Sequence, residues 1–163
     1  MQKLCLVAID IRSTHNVGSL LRTADGFSAD VILVGITPRP MGDPQENRLP
    51  HVVIKSHKDI AKTALGAENS VKWSYFTDTE TAFKYLKNDG YKIFAVEQAM
   101  NSDNIAELKL TSPTALVFGP EVTGLNENTL ELCDKIYEIP MTGKKESFNV
   151  AVSAGIALYQ ARV

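Results

Sequence analysis

Polar side chains crowd the stretch MTGKKESFNVAVSAG, at residues 141–155, directly before a run of small and apolar residues. The run that begins at Phe148 is typical of a helix that packs into a core. Hydroxyl and amide groups at this position can cap the free N–H groups of a helix. The same groups, with two lysines and a glutamate beside them, can also bind a ligand. The stretch alone leaves both interpretations open.

A second turn of this kind is VFGPEVTGL, at residues 117–125. Gly119 ends a buried apolar run there, and Glu121 and Gly124 follow it. Ligands of open α/β sheets bind outside the carboxyl ends of the strands, so two polar turns at strand ends predict a pocket. The alternative assigns both glycines to turn geometry, Glu121 to solvent and Ser147 to helix capping. Spacing alone does not decide between these interpretations.

The motifs of several enzyme classes are absent from the sequence. No GxGxxG follows the first apolar run, TGKKES lacks the upstream glycine spacing of a phosphate-binding loop, and no GxSxG elbow occurs. These absences argue against a dehydrogenase, a kinase or a GTPase. The histidines, at His15, His51 and His57, show no metal-ligand spacing. Cys5 and Cys133 form no CxxC pair, so we expect neither a zinc site nor a disulfide.

Length and composition indicate one compact domain with a sizeable core over residues 1–163. The chain is 44% hydrophobic and 22% charged, as expected of a globular protein. No apolar run approaches the roughly 18 residues of a membrane span, and the N-terminus shows no signal-peptide cleavage pattern, so we expect a cytoplasmic protein. A net charge of −2 and a pI near 5.9 argue only weakly against a nucleic-acid partner, because charges can segregate onto different faces.

Short apolar, β-branched runs alternate with helical patterns along the chain. Predicted strands cover residues 4–10, 30–35, 71–76, 91–96, 114–119 and 135–140. Predicted helices cover residues 17–28, 57–65, 79–88, 126–133 and 149–162. Several strands are nearly continuous apolar runs, as parallel strands covered on both faces are. The pattern predicts an α/β fold with a mostly parallel open sheet flanked by helices.

The helix predicted at 17–28 has an apolar stripe at helical spacing, formed by Val17, Leu20, Leu21, Ala24 and Phe27. Asn16 is a suitable N-cap, because its side chain can accept from the free N–H groups of the first turn. Arg22 lies almost opposite the stripe at about 100° per residue. From this geometry alone, Arg22 is most simply a solvated surface arginine.

Three ordered segments resemble the motifs of the SpoU/TrmH family, the RNA ribose 2′-O-methyltransferases of the SPOUT superfamily. They are NVGSLLRTADGF at 16–27, LVFGPEVTGLNENTLELCD at 116–134 and IPMTGKKESFNVAVSAGIALY at 139–159. Phe148 departs from the family pattern, because many members carry leucine there. The resemblance implies a C-terminal trefoil knot that holds S-adenosylmethionine, and a homodimer whose two protomers build the active sites. It also implies a single methyltransferase domain with no appended RNA-binding domain.

By this resemblance, S-adenosylmethionine lies against Gly119, Ile139 and Phe148, with Met141 and the backbone of residues 140–147 nearby. Main-chain groups at the strand ends would contact the edge of the adenine, while Ile139 and Phe148 pack against its faces. No metal is implied. On the last helix, the small residues Ala151, Ala154 and Gly155 suit close packing, either with a partner or with the chain's own sheet.

The family pattern matches five further positions as catalytic: Asn16, Arg22, Glu121, Ser147 and Asn149. An arginine normally stays protonated, so we expect Arg22 to stabilise the forming alkoxide and to place a phosphate, and not to act as a base. Asn16 and Glu121 would hold Arg22 in place. Ser147 and Asn149 would orient the hydroxyl or the methionine end of the cofactor.

The implied partner is tRNA or rRNA, and its phosphates would contact basic residues that flank the pocket in sequence, namely Arg12, Arg22, Arg39, Arg48, Lys144 and Lys145. Two other interpretations are open. One is a catalytically idle RNA-binding dimer of the same fold, against which the retained catalytic positions argue. The other is a SPOUT enzyme that methylates a base, although the Asn16–Arg22 pattern favours a ribose.

Overall fold

Seven strands form one sheet in which every pair of neighbours is parallel, within the residues 2–163 that the computed structural model describes. They are β1 (Leu4–Ile9), β2 (Asp30–Val34), β3 (Trp73–Phe76), β4 (Lys92–Val96), β5 (Asp103–Asn104), β6 (Thr114–Phe118) and β7 (Lys135–Glu138). Their order across the sheet is β3-β2-β1-β6-β4-β7-β5, with β6 at the centre. The predicted parallel α/β sheet is confirmed, whereas the trefoil knot stays a prediction.

Helices cover both faces of the sheet, which explains the apolar runs of the strands. They are α1 (Thr14–Gly26), α2 (Pro50–Ala64), α3 (Ala67–Ser70), α4 (Thr79–Asn88), α5 (Glu127–Glu131) and α6 (Val150–Arg162), with a short 3-10 helix at Ile105–Glu107. Leu6 and Ala8 of β1 point to the face covered by α1, α2 and α6. Val7 and Ile9 point to the opposite face, where α4 packs. Consecutive residues of one strand are therefore buried in two separate cores.

The first helix begins earlier than its apolar pattern indicates. α1 starts at Thr14, and the hydroxyl of Ser13 caps it by accepting from the backbone N–H of Asn16 at 3.2 Å. The prediction that Asn16 is the N-cap is therefore wrong. Because Ser13 satisfies the first turn, the side chain of Asn16 is available for contacts outside the helix.

The second helix also begins earlier than predicted, at Pro50 and not near residue 57. Proline suits the first position of a helix, where no backbone N–H is needed. Pro50 also lies at the end of a proline-rich stretch, which is typical of a loop, so the start of α2 was not predicted. No sequence pattern predicts α3, β5 or the 3-10 helix. These elements have four, two and three residues, which is too short for a periodic pattern.

Gly18 of the NVGSLLR segment lets α1 and α2 pack closely. A Cβ at this position would lie 2.1 Å from Oγ1 of Thr63 and 2.3 Å from the carbonyl oxygen of Ile60. The Thr63 hydroxyl then donates to the carbonyl oxygen of His15 at 2.8 Å. Gly18 thus has a packing role, and the contact it permits fixes the start of α1 against the end of α2.

The proline-rich stretch at residues 37–51 is held together by a buried arginine. Nε of Arg39 lies 2.6 Å from Oδ2 of Asp43, and both side chains are only 6% exposed. Neither of these two atoms has another partner among the described residues. The guanidinium of Arg39 also lies 3.8 Å above the centre of the Tyr75 ring. Arg39 is therefore part of the core of this loop.

Arg48 belongs to the same loop structure. Its Nε donates to Oε1 of Glu46 at 2.8 Å, and its Nη1 donates to the carbonyl oxygen of Arg39 at 3.0 Å. The expectation that Arg39 and Arg48 contact RNA phosphates is wrong, because their charged groups are already committed to carboxylates and carbonyls within the loop.

The small residues of α6 pack within the chain. Ala154 is fully buried, and a Cβ on Gly155 would lie 3.9 Å from Cγ2 of Thr23 on α1. α6 and α1 therefore lie side by side on one face of the sheet. Among residues 2–163, none of the helices combines the length and the apolar character that a membrane span requires.

Candidate active site

A pocket of about 270 Å³ opens at the carboxyl ends of three neighbouring strands, β6, β4 and β7. Residues predicted from the sequence line it: Gly119, Glu121, Ile139, Ser147 and Phe148. Met141, also predicted, is half-buried and lies outside the lining. The two polar turns singled out in the sequence thus form two walls of one pocket.

Gly119 and Gly124 shape the turn that forms the first wall. A Cβ on Gly119 would lie 2.7 Å from the backbone nitrogen of Leu125, because the turn folds back on itself. Gly124 has a φ of +67°, a left-handed conformation that favours glycine. The turn therefore needs both glycines for its own fold, whatever the pocket binds.

A carboxylate that was not predicted from the sequence holds this turn in place. Glu97 directly follows β4, and its Oε2 accepts from the backbone N–H of Leu125 at 2.9 Å. Its Oε1 accepts from the backbone N–H of Gln98 at 3.0 Å. A Cβ on Gly124 would lie 2.6 Å from Oε2 of Glu97, so the glycine makes room for the carboxylate.

The next residue ties β4 to the second wall. Nε2 of Gln98 donates to the carbonyl oxygen of Glu146 at 2.9 Å. Glu97 and Gln98 therefore connect one strand end to both polar turns. A charged residue placed directly after a buried strand was the one signal in the sequence that pointed to Glu97.

Three site residues form a chain of hydrogen bonds beside the pocket. Nδ2 of Asn16 donates to Oε1 of Glu121 at 3.0 Å, and Oδ1 of Asn16 accepts from Nδ2 of Asn149 at 3.1 Å. Oδ1 of Asn149 accepts from the backbone N–H of Ala151 at 2.9 Å and so caps α6. Each asparagine uses both its donor and its acceptor, which fixes both amide orientations. The starts of α1 and α6 and the turn after β6 are thereby joined.

The carboxylate of Glu121 receives hydrogen bonds from two directions. Partial burial raises its pKa, but the donors of Asn16 and of the Arg12 backbone outweigh this effect, so the pKa of Glu121 lies below its ordinary value. The Arg12 N–H lies 3.4 Å from Oε2. Glu121 is therefore a stable anion at neutral pH and a fixed acceptor.

Arg22 stands apart from this chain of hydrogen bonds. Its side chain is exposed, and within the part of the chain that the structure describes it has no hydrogen bond or ion pair. The expectation that Asn16 and Glu121 hold Arg22 is wrong within a single chain, because these two residues bind each other and Asn149. The structure brings together four of the five predicted catalytic positions and leaves Arg22 on the surface of α1.

The pocket is acidic on one side and apolar on another. Its ionisable lining residues, among those described, are Glu97, Glu121 and Glu146. Ile139 is half-buried and Phe148 is 42% exposed, so both present apolar surface to the pocket. Within residues 2–163, no three His, Cys, Asp or Glu side chains come together in a way that could hold a metal ion. This combination suits an organic cation with a flat apolar part.

Comparison with known proteins identifies the family. The model of the SpoU rRNA Methylase family matches residues 3–159, almost the whole chain. The chain belongs to this family. A 23S rRNA (guanosine-2′-O-)-methyltransferase RlmB of Nitrosomonas europaea is 32% identical over 157 residues, which cover 96% of this chain and 55% of that protein.

Solved structures share the fold of this SpoU-family chain. One, described as showing the 2-OH methylation of C/U34 on tRNA, has a TM-score of 0.70 and 27% identity, and the match covers 99% of this chain and 95% of that one. An AdoMet-bound rRNA methyltransferase from Sinorhizobium meliloti has a TM-score of 0.80 and 23% identity, with 98% and 56% coverage. The SpoU-family chain thus spans about half of the rRNA-modifying relatives and nearly all of the tRNA-related structure.

Proposed function

We propose that this protein transfers a methyl group from S-adenosylmethionine to a ribose 2′-hydroxyl of RNA. The observation that carries the proposal is the position of Glu121, which lines the pocket and also binds the Asn16–Asn149 pair beside it. The cofactor pocket and the polar cluster formed by Asn16, Glu121 and Asn149 therefore share one turn. Membership of the SpoU family and the 2′-O-methylating relatives support the reaction type.

The lining of the pocket fits S-adenosylmethionine, which supplies a methyl group on a positively charged sulfonium. Ile139 and Phe148 offer apolar surface to a flat ring, and Gly119 keeps side-chain atoms away from the strand end. Glu97, Glu121 and Glu146 complement a positive charge. The pocket volume of about 270 Å³ lies just below the range typical of small-molecule sites.

The protein's own residues would position the hydroxyl and stabilise charge. In this transfer the hydroxyl oxygen would form a bond to the methyl carbon while the carbon–sulfur bond breaks, the bonding electron pair would stay on the sulfur as a neutral thioether, and the hydroxyl proton would pass to solvent water. Asn16, Glu121 and Asn149 provide a preorganised polar surface, because their orientations are set by one another before substrate arrives. Ser147 adds a hydroxyl that can donate to the ribose. Arg22, which stays protonated, would stabilise the developing negative charge on oxygen.

A homodimer would explain why Arg22 lies outside the polar cluster of its own chain. α6 exposes the apolar side chains of Val152 and Tyr159, which are 49% and 59% accessible. These residues lie two helical turns apart on one face of α6, which packs beside α1. We propose that this face meets a second copy and that Arg22 of one protomer serves the pocket of the other.

Transfer RNA is the substrate class that we favour. The tRNA-related structure is matched over 95% of its length, whereas the RlmB relative has a further region that this chain does not match.

The experiment is methyl transfer from radiolabelled S-adenosylmethionine to unfractionated tRNA and, in parallel, to rRNA. A ribose product blocks cleavage of the next phosphodiester bond, so label should appear in nuclease-resistant dinucleotides. Label in mononucleotides would indicate a base methyltransferase. Absence of label with both RNAs, in a sample that binds cofactor and RNA, would support the idle RNA-binding dimer.

A further inference from the structure

One exposed face of α2 carries basic side chains at helical spacing. His51, Lys55, Lys58 and Lys62 follow one another at intervals of four, three and four residues, and all four are exposed. Residues at these intervals lie on one side of a helix. We call them the α2 basic stripe. α2 has one acidic side chain, Asp59, whose Oδ1 lies 2.6 Å from Nζ of Lys62.

Because the pocket lining is acidic, RNA has to be attracted by basic side chains elsewhere on the protein. The chain has a net charge of −2, and the ionisable residues that line the pocket are glutamates. Phosphates would be repelled there, so attraction to RNA has to come from another surface. Of the basic residues expected to contact phosphates, Arg39 and Arg48 do not contribute, because their charges are paired inside the 37–51 loop. The other four are exposed and can act together with the α2 basic stripe, namely Arg12, Arg22, Lys144 and Lys145.

The α2 basic stripe leads towards the active site. Next to Lys62, the Thr63 hydroxyl donates to the carbonyl oxygen of His15, and His15 directly precedes Asn16. The hydrogen bond to Lys62 lowers the pKa of Asp59, and the charges of Lys55 and His15 contribute to the same shift. His15 is therefore close to the end of the stripe. From there the chain runs back to Arg12, whose N–H binds Glu121.

We propose that the α2 basic stripe binds the sugar–phosphate backbone of the RNA next to the modified nucleotide. This inference rests on the proposed function, because it identifies how the same site obtains its substrate. The stripe spans about 16 Å along the helix, enough to follow several nucleotides. Ile54, which is 47% exposed, lies among the lysines and offers apolar surface to riboses or bases.

The test compares two triple variants with equal charge change. Lys55→Gln/Lys58→Gln/Lys62→Gln neutralises the stripe. The control neutralises Lys84, Lys92 and Lys109, which are also exposed and lie outside α2. Like the stripe, this set includes one ion-paired lysine, because Lys92 pairs with Asp134 at 3.5 Å. Binding of unfractionated tRNA is measured without cofactor over a range of salt concentrations. Circular dichroism and thermal unfolding check that both variants fold.

We expect the stripe variant to lose at least about tenfold in tRNA affinity near 0.1 M salt. The plot of log K against log salt should become less steep by about two to three, close to one for each lost phosphate contact. The control variant should keep affinity and slope. Affinity for S-adenosylmethionine should stay unchanged in both, because none of these lysines lines the pocket.

Wild-type affinity and slope in the stripe variant would overturn the proposal, and so would an equal loss in the control. If the triple variant does not fold, Lys58→Gln alone should still lower the slope by about one. Failure of the proposed function is a separate result: wild-type protein would then bind tRNA through the stripe but transfer no methyl group to its riboses.

Discussion

The side-chain amide of Asn16 donates to the carboxylate of Glu121 over 3.0 Å, across 105 positions of sequence. This bond connects the first turn of α1 to the turn that forms one wall of the pocket. Because Asn16 also accepts from Asn149, it holds together the starts of two helices and a strand end. The geometry of the polar cluster therefore depends on one asparagine.

We expect Asn16→Ala to raise the pKa of Glu121 towards its ordinary value. The folded pKa of Glu121 is lowered, so its hydrogen bonds stabilise the fold above the unfolded pKa of about 4.3, and this contribution is lost as pH falls through the folded pKa. Titration of the side-chain carboxyl carbons by NMR measures the change. Asp78 is the control, since its pKa is lowered by bonds from Thr81 far from the site. An unmoved Glu121 midpoint would show that Asn16 does not set its charge.

Arg22→Ala should reduce catalysis and leave the fold intact. The side chain is exposed and makes no ion pair among the described residues, so the free energy of unfolding should change by no more than about 0.5 kcal/mol. Single-turnover methyl transfer at saturating RNA and cofactor should fall about a hundredfold or more. Arg22→Lys should rescue poorly, because an ammonium cannot reproduce the planar guanidinium. Lys84→Ala is the control, and a normal rate in Arg22→Ala would make Arg22 an ordinary surface residue.

Mixing two inactive variants should restore activity if the sites are shared between protomers. The first is Arg22→Ala, and the second is Ile139→Ala/Phe148→Ala, which we expect to lose the cofactor. Random reassociation makes half of the dimers mixed, each with one complete site, so about a quarter of wild-type activity should return. Each variant alone serves as the baseline. No recovery in a sample that native mass spectrometry shows to contain the mixed dimer would place Arg22 with its own pocket.

Phe148→Ala should weaken binding of S-adenosylmethionine about tenfold, as expected when an aromatic side chain loses part of its apolar contact. Phe148 is a better test of the pocket than Gly119. Any side chain at 119 would push against the backbone of Leu125 and displace the turn itself. Isothermal titration calorimetry gives the dissociation constant. Tyr85→Ala, at an exposed aromatic residue of α4, should bind normally, and equal binding by Phe148→Ala would remove Phe148 from the pocket.

Arg39→Ala should destabilise the fold by about 3–5 kcal/mol, because it leaves Asp43 buried without its partner. Urea unfolding measures the loss. The double variant Arg39→Met/Asp43→Leu should recover most of it, since both charges are then removed together. A single variant as stable as wild type would mean that the loop can expose Asp43 at little cost.

The sequence predicted the parallel sheet because its strands are buried on both faces and so appear as long apolar runs. It predicted α4 at its true bounds, where Asp78 caps the first turn and the apolar residues are regularly spaced. It did not predict the order of the strands, since pairing between distant segments leaves no local pattern. The partners of Asn16 were missed for the same reason: they are set by the sheet order, and the nearby Ser13 was the better cap.

Two glycine-bearing turns and a family resemblance predicted the candidate pocket, whereas Glu97 was not predicted. A single carboxylate after a strand is common, and only the fold shows that it receives the N–H of Leu125, 28 positions later. Arg39, in contrast, was wrongly predicted to be an exposed phosphate contact. A basic residue in a proline-rich loop is usually exposed, and its burial depends on Tyr75, which comes from another strand.

The central position of β6 affects how the protein can fold as it leaves the ribosome. β6 is the strand that joins β1 to β4, and β7, the other neighbour of β4, is synthesised later still. Until Thr114–Phe118 emerges, the nascent chain holds a three-stranded piece with an unpaired β1 edge and a β4 strand that has no neighbour. Such edges are templates for aggregation. Synthesis that stalls before residue 114 should therefore yield a product that depends on chaperones or is degraded. Completion of β6 gives both β1 and β4 a strand to pair with.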